Sequence, residues 1–220
     1  TDLAIQFDPN AARFGASRTQ KRIEDDRLLI GKGLYSDDRA FPGAATLVIL
    51  RTPYAHARIL ACDVADARSA PGVLAVWTID DLKRDGVGHI PFPPLFKQAD
   101  GSPMGAPLRT LLADGTVYHV GQAVAAIVAE TREQAQDAAE RVLVDYDELP
   151  CVIDPRRAIE PGAPQLWAAA PNNVAAEARY GDPKATDAAF ARAAHIVKLE
   201  LHNQRLIANA IEPRCSIAVH

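Results

Sequence analysis

The stretch from Thr116 to Asp154, TVYHVGQAVAAIVAETREQAQDAAERVLVDYDELPCVID, joins a strand, a capped helix and a second strand almost without connecting loops. Val124 to Ala129 is a short apolar run with β-branched residues, bounded upstream by Gly121, as expected of a strand buried on both faces. Thr131, followed three residues later by Gln134, forms a capping-box signature in which hydroxyl and amide each satisfy an orphaned backbone N–H at a helix start. Ala135, Ala138, Ala139 and Val142 then recur at i, i+3, i+4 and i+7, while Glu133, Gln136, Asp137, Glu140 and Arg141 take the other positions. That apolar face is narrow and built of small side chains, so the helix can lie close on a sheet. Val142, Val144 and Tyr146 next alternate with Leu143, Asp145 and Asp147 until Pro150 ends the second strand. A chain built around such a unit is α+β.

The remaining segments are read by the same signals. Ala45 to Leu50, Ile59 to Ala61 and Val73 to Trp77 are expected strands, Asp63 to Ser69 a short helix begun by an Asp cap, and Pro71-Gly72 the turn into the third strand. Residues 1–26 show no sustained period and are expected to form an extended leader. His89 to Ala113 contains five prolines, three of them in PFPP, so neither a helix interior nor a central strand runs through its first half. Its Phe92, Leu95, Phe96, Met104 and Leu108 argue for packing on another surface. Pro150 to Asn173 carries five further prolines, and a linker is expected over 155–173 between a domain at 27–154 and an incomplete one at 174–220.

In that last segment Asp182 as N-cap and Pro183 as first helical residue open a helix with Ala185, Ala188, Ala189, Phe190 and Ala193 on its packing face. Val197, Leu199 and Leu201, and again Cys215, Ile217 and Val219, alternate as half-buried strands would. One helix and two strands are too little to enclose a core, so the chain reads as a fragment or one piece of a split subunit.

Composition excludes several classes. A formal charge of −4, with 24 basic residues scattered along the chain, gives no electrostatic case for nucleic acid. Cys62, Cys151 and Cys215 are far apart and lack a Cys-x-x-Cys pair, so neither a disulfide framework nor a zinc or iron–sulfur site is encoded, and reduced buried thiols are expected. With no secretory signal pattern and no long uncharged apolar run, the expectation is a soluble cytoplasmic protein without a membrane partner.

Glu212, in Glu212-Pro213-Arg214, is the one candidate catalytic residue. Apolar Ile211 and Ile217 beside it would desolvate the carboxylate and raise its pKa toward proton-transfer use, against a plainer pairing with Arg214 or Arg205. His119, Gly121 and Gln122 are read as structural, the glycine permitting close backbone approach before a strand, and His56 as hydrogen-bonded in place. Gly31-Lys32-Gly33 begins like a dinucleotide fingerprint, but Ser36 replaces the third glycine and no helix pattern follows. No nucleophile elbow, Walker loop, His-Glu-x-x-His pair or EF-hand loop occurs.

GKGLYSDD (Gly31 to Asp38), RTPYAHARILACDV (Arg51 to Val64), PGVLAVWT (Pro71 to Thr78) and the Thr116 to Asp154 unit stand in an order and rough spacing that resembles the a/b hammerhead domain of the xanthine dehydrogenase and aldehyde oxidase family, the molybdenum hydroxylases. GDPKATDAAFARAAHIVKLELHNQRLIANAIEPR, from Gly181, resembles the beginning of that family's molybdopterin-binding domain. The resemblance implies an α+β hammerhead domain at the N-terminal end of a large subunit, followed by the first elements of the molybdopterin-binding α+β domain. It implies hydroxylation of an aldehyde or N-heterocyclic small molecule with water as oxygen source. The cofactor would be molybdenum-molybdopterin, bound mainly by segments outside this chain. Electrons would pass to two-iron two-sulfur clusters and FAD on an iron–sulfur subunit and an FAD subunit. Since the family's metal is held by pterin sulfurs, no metal ligand and no complete catalytic set are expected here. The competing expectation is a non-catalytic assembly or channel-forming module of such a complex.

Overall fold

The computed structural model describes residues 22–39, 41–93, 95–98, 100–178, 180–204, 206–210, 212 and 214–219. The expected leader, apart from residues 22–26, lies outside these. The chain divides into two compact units, one of residues 1–42 with 201–220 and one of residues 43–200.

In the first unit, helix α1 (Asp25–Leu29) begins inside the stretch read as leader. It stops at Gly31, whose φ of +71° is the left-handed conformation that glycine adopts without a Cβ penalty. The Gly31 N–H donates to the Leu28 carbonyl at 3.2 Å and the Lys32 N–H to the Arg27 carbonyl at 2.8 Å, a Schellman closure of the helix. The glycines of Gly31-Lys32-Gly33 thus serve a helix end rather than a phosphate.

The second unit contains two three-stranded antiparallel sheets built from β1 (Thr46–Arg51), β2 (Ala57–Asp63), β3 (Val73–Trp77), β4 (Thr116–Val117), β5 (Ala123–Ala129) and β6 (Leu143–Glu148), in orders β1-β5-β3 and β4-β2-β6. Among the described residues this unit also has five helices: α2 (Ala65–Arg68), α3 (Ile79–Arg84) and α4 (Arg132–Glu140) between strands, and α5 (Pro155–Ala158) and α6 (Pro183–Arg192) after β6. Strand β5 is central, as its unbroken apolar run requires, with Val124 to Ile127 and Ala129 buried. The register pairs Val48 and Val76 with Ile127 and Leu50 with Ala125, which puts these side chains on one face. Helix α4 covers that face through buried Ala135, Ala138 and Ala139, and Ala67 of α2 joins the same core. Their small size lets helix and sheet approach closely.

Cys62 and Val144 touch both this core and a second one, formed by Ala57, Ala113, Val117 and Val124, and so join the two sheets. The expected α4 cap is present: the Gln134 N–H donates to Thr131 Oγ1 at 3.2 Å, and Gln134 Oε1 accepts the Thr131 N–H at 3.0 Å. Gly72 (φ +77°) lies beneath this cap, where a Cβ would meet the Gln134 side chain at 2.2 Å. The Gly72 carbonyl in turn accepts the Glu130 N–H at 2.9 Å. Helix α2 starts later than expected: its N-cap is Val64, without a side-chain cap bond, while Asp63 ends β2 and its Oδ1 accepts the Ala65 N–H at 2.9 Å.

Two further expectations fail. Helix α6 starts as read, with Asp182 Oδ1 accepting the Ala185 N–H at 3.0 Å and Pro183 first, but it buries no residue and Phe190 is 56% exposed. The alternating segments around Val197 to Leu201 and Cys215 to Val219 are not strands; Val197 is 90% and Val219 92% exposed. Alternation specifies one apolar face, whereas ladder bonds and cover must come from a neighbouring strand, and none of β1 to β6 pairs with them.

The His89 to Ala113 excursion is ordered by bridges at Ile90–Arg109 and Lys97–Pro103 and by the Arg109 guanidinium lying 4.4 Å from the Phe92 ring centroid. The Gln98 Nε2–H and the Gly105 N–H both donate to the Ala175 carbonyl, at 2.7 and 2.8 Å. Gly105 is a close-approach glycine, since a Cβ there would stand 2.1 Å from the Ala169 carbonyl oxygen. In the facing segment Asn173 (φ +58°) donates through Nδ2 to the Ala158 and Pro164 carbonyls at 2.8 and 2.9 Å and accepts the Leu166 N–H at 2.9 Å. No helix among the described residues is long and apolar enough to cross a membrane.

Candidate functional site

Glu212 is exposed. Its Oε1 accepts the Ser36 hydroxyl at 2.6 Å and the Ser36 N–H at 3.0 Å. These hydrogen bonds from Ser36, hydroxyl first, hold its carboxyl below the ordinary glutamate value. The expected rise in pKa is thereby corrected: the bonds from Ser36, a residue far away in the chain, outweigh desolvation and set its ionisation.

Gly121, with φ +84° and nothing within 4 Å of a Cβ position, is needed for its left-handed backbone and not for close approach. Around it, the Gly121 N–H donates to the Thr52 carbonyl at 2.8 Å, the Thr52 N–H to the Gln122 carbonyl at 3.0 Å, and Arg51 Nη1 to the Gly121 carbonyl at 2.8 Å. Gln122 Oε1 accepts the Tyr118 N–H at 2.7 Å, and His119 is bonded to the neighbouring Val120 carbonyl at 3.0 Å. This region is a backbone lock at the entry to β5.

His56 is buried, and its Nδ1 lies 2.7 Å from the Pro150 carbonyl. Its ring stacks on Tyr118 at 5.5 Å, and Tyr118 stacks on Trp167 at 3.5 Å. His56 is hydrogen-bonded in place, as read from the sequence. The aromatic row also ties Trp167 to the sheet β4-β2-β6, a long-range contact that no local pattern announces.

Asp81 at the start of α3 is the charged group that sequence reasoning missed. Its side chain is 7% exposed; Oδ2 accepts the Thr78 N–H at 2.9 Å, the Thr78 hydroxyl at 3.0 Å and Arg68 Nη2 at 2.7 Å, while Oδ1 meets Arg84 Nη2 at 3.0 Å. Burial alone would raise its carboxyl. The Thr78 bonds and the Arg84 and Arg68 guanidiniums outweigh that and hold it below the usual aspartate value. Thr78 and Asp81 have capping-box spacing, the signal that locates α3 in the sequence. An ionised carboxylate with this many donors is a fixed hub and not a proton donor.

Of the cysteines, only Cys62 is half-buried, and desolvation followed by the nearby Asp63 charge pushes its thiol up; Cys151 and Cys215 are exposed, contrary to expectation. Among the described residues no three His, Cys, Asp or Glu side chains converge closely enough to hold a metal ion. The described side chains therefore do not furnish a metal centre.

Residues 30–150 match the family described as "Aldehyde oxidase and xanthine dehydrogenase, a/b hammerhead domain". The chain is 36% identical over 196 residues to the carbon monoxide dehydrogenase large chain of Afipia carboxidovorans, covering 84% of this chain and 23% of that one. It is 34% identical over 214 residues to the nicotine 6-hydroxylase large subunit of Paenarthrobacter nicotinovorans, covering 96% and 25%. The structure of reconstituted CO dehydrogenase from Oligotropha carboxidovorans superposes with a TM-score of 0.63 at 36% identity, over 80% of this chain and 22% of that one. The chain spans about a quarter of the length of the curated relatives it matches.

Proposed function

The chain belongs to the aldehyde oxidase and xanthine dehydrogenase family of oxidoreductases, and from that premise we propose that it forms the N-terminal part of a molybdenum-cofactor subunit: the hammerhead domain and the first elements of the molybdopterin-binding domain. The subunit would hydroxylate an aldehyde or N-heterocyclic small molecule, taking oxygen from water and passing electrons to iron–sulfur clusters and FAD on partner subunits in the cytoplasm. When bound, the molybdenum cofactor supplies the redox chemistry; the protein orients substrate and excludes water. The cofactor is assigned mainly to the rest of the subunit, since this chain spans about a quarter of the length of its relatives.

What supports this reading best is the pairing of a matched hammerhead domain with apolar surface that nothing among the described residues covers, in α6 and beyond: Phe190 is 56%, Leu199 78% and Ile207 93% exposed. A second reading is a non-catalytic assembly or channel-forming module, in keeping with Glu212, the one candidate catalytic residue, being exposed and bonded to Ser36. In both readings Glu212 anchors Ser36. To test the proposal, the tagged chain is recovered from its native host, and molybdenum, iron and flavin are quantified in the purified complex. All three in fixed ratio support the enzyme reading; protein free of metal and flavin supports the module.

A further inference from the structure

Sheet β1-β5-β3 ends on β3, whose one strand neighbour among the described residues is β5. An edge strand offers backbone N–H and C=O groups to any extended chain that reaches it. Along β3 runs an open groove of about 390 Å³, walled by Arg68, Asp81 and Arg84. The Val76 carbonyl opens onto it, for Arg68 Nη2 and Nε reach that oxygen at 3.1 and 3.3 Å. On the same strand Leu74 and Trp77 remain 59% and 37% exposed.

The groove lining carries two arginines to one acid, with Asp85 beside Arg84 at its rim. That acid is Asp81, and both carboxylate oxygens are already committed to Thr78, Arg68 and Arg84. The two arginine side chains are 47% and 68% exposed, and among the described residues their one further polar contact beyond Asp81 and Val76 is a 3.5 Å approach of Arg84 Nε to exposed Asp85. Each guanidinium carries five N–H donors, more than these contacts consume. Arg68 is fixed by the Val76 carbonyl and Asp81, so it presents its remaining donors at little further cost in side-chain entropy.

We propose that this edge is a docking site for an extended polypeptide segment bearing a glutamate or aspartate. The segment pairs with β3 beside Leu74, lays apolar side chains on Leu74 and Trp77, and sets its carboxylate against Arg68 and Arg84. Strand addition supplies main-chain bonds, and the arginines supply sequence preference. A second copy of this chain is the wrong occupant, because joining two β3 edges would bring like-charged guanidiniums together. The inference does not depend on molybdenum chemistry.

The test is a titration of the chain with two synthetic capped pentapeptides, one alternating valine with glutamate and one alternating valine with lysine, followed through the amide NMR signals of Leu74 and Val76. The glutamate peptide should shift both signals and bind at least roughly tenfold more tightly than the lysine peptide, with the preference shrinking at high salt. Arg84→Gln should weaken it severalfold. Leu74→Asp, which leaves the Asp81 hub untouched, should do the same by repulsion. Equal affinity for the two peptides, no shift with either, or shifts that survive both substitutions would each overturn the proposal, as would broadening of the β3 signals by self-association in the absence of peptide.

Discussion

Helices α4 and α6 are near-twins in local design and opposites in packing. They run for nine and ten residues, each begins with a side-chain cap from Thr131 or Asp182, and each carries an alanine-rich face. Helix α4 buries Ala135, Ala138 and Ala139 against β1, β5 and β3, whereas α6 buries nothing. Capping and periodicity are local properties that specify where a helix starts and which face is apolar. What covers that face is supplied by another part of the fold, and for α6 nothing among the described residues of this chain supplies it.

The sharpest way to break this comparison is a large-to-small change at each site. Ile127→Ala, under α4, should cost about 3–4 kcal/mol of unfolding free energy in a denaturant titration, because a fully buried side chain leaves a cavity. Phe190→Ala on α6 should change stability by less than about 0.5 kcal/mol in the chain alone. A comparable loss at both positions would show that α6 is packed after all.

Next in size, Asp81→Asn should destabilise by about 2–3 kcal/mol, since it leaves Arg68 and Thr78 donors without a charged acceptor. The sign of its pH dependence follows from the depressed pKa. Stability from Asp81 is fully present above the ordinary aspartate value of about 3.9 and is lost as pH falls through the lower folded value. Acid unfolding of the wild-type chain should therefore steepen below about pH 4, and Asp81→Asn should flatten that slope; identical slopes would count against the hub.

Smaller again, Gly105→Ala should cost about 1–3 kcal/mol, because its Cβ would press on the Ala169 carbonyl, whereas Gly115→Ala meets nothing within 4 Å and pays only for its φ of +68°. Smallest, Thr131→Ala should cost about 1 kcal/mol through loss of the α4 cap. Asp182→Ala should lower the helix signal of α6 in circular dichroism without shifting global unfolding. A shared transition for both helices would again erase the contrast.

The same division between local and long-range information decides what the sequence disclosed. Strand β5, the Thr131–Gln134 cap, the Asp182 cap and the small-residue face of α4 were all legible, since each is written within a few consecutive residues. The strands expected around Val197 to Leu201 and Cys215 to Val219 were not realised, because alternation describes a strand without providing its neighbour. Helix α3 was overlooked although Thr78 and Asp81 signal it, and the Arg68 contact to Asp81 across two elements had no local signature at all. Glu212 failed differently: its sequence neighbours suggested burial, while Ser36, brought to it by folding, sets its charge state.

The most direct measurement is amide hydrogen exchange on this chain alone and on the same residues within the proposed large-subunit assembly, as purified from the native host. Residues of β5 and α4 should be equally protected in both. Residues 183–201 should exchange rapidly in the isolated chain and become protected only in the assembly. Strong protection of α6 in the chain alone, or none in the assembly, would contradict the claim that this hammerhead chain is one part of a larger catalytic subunit.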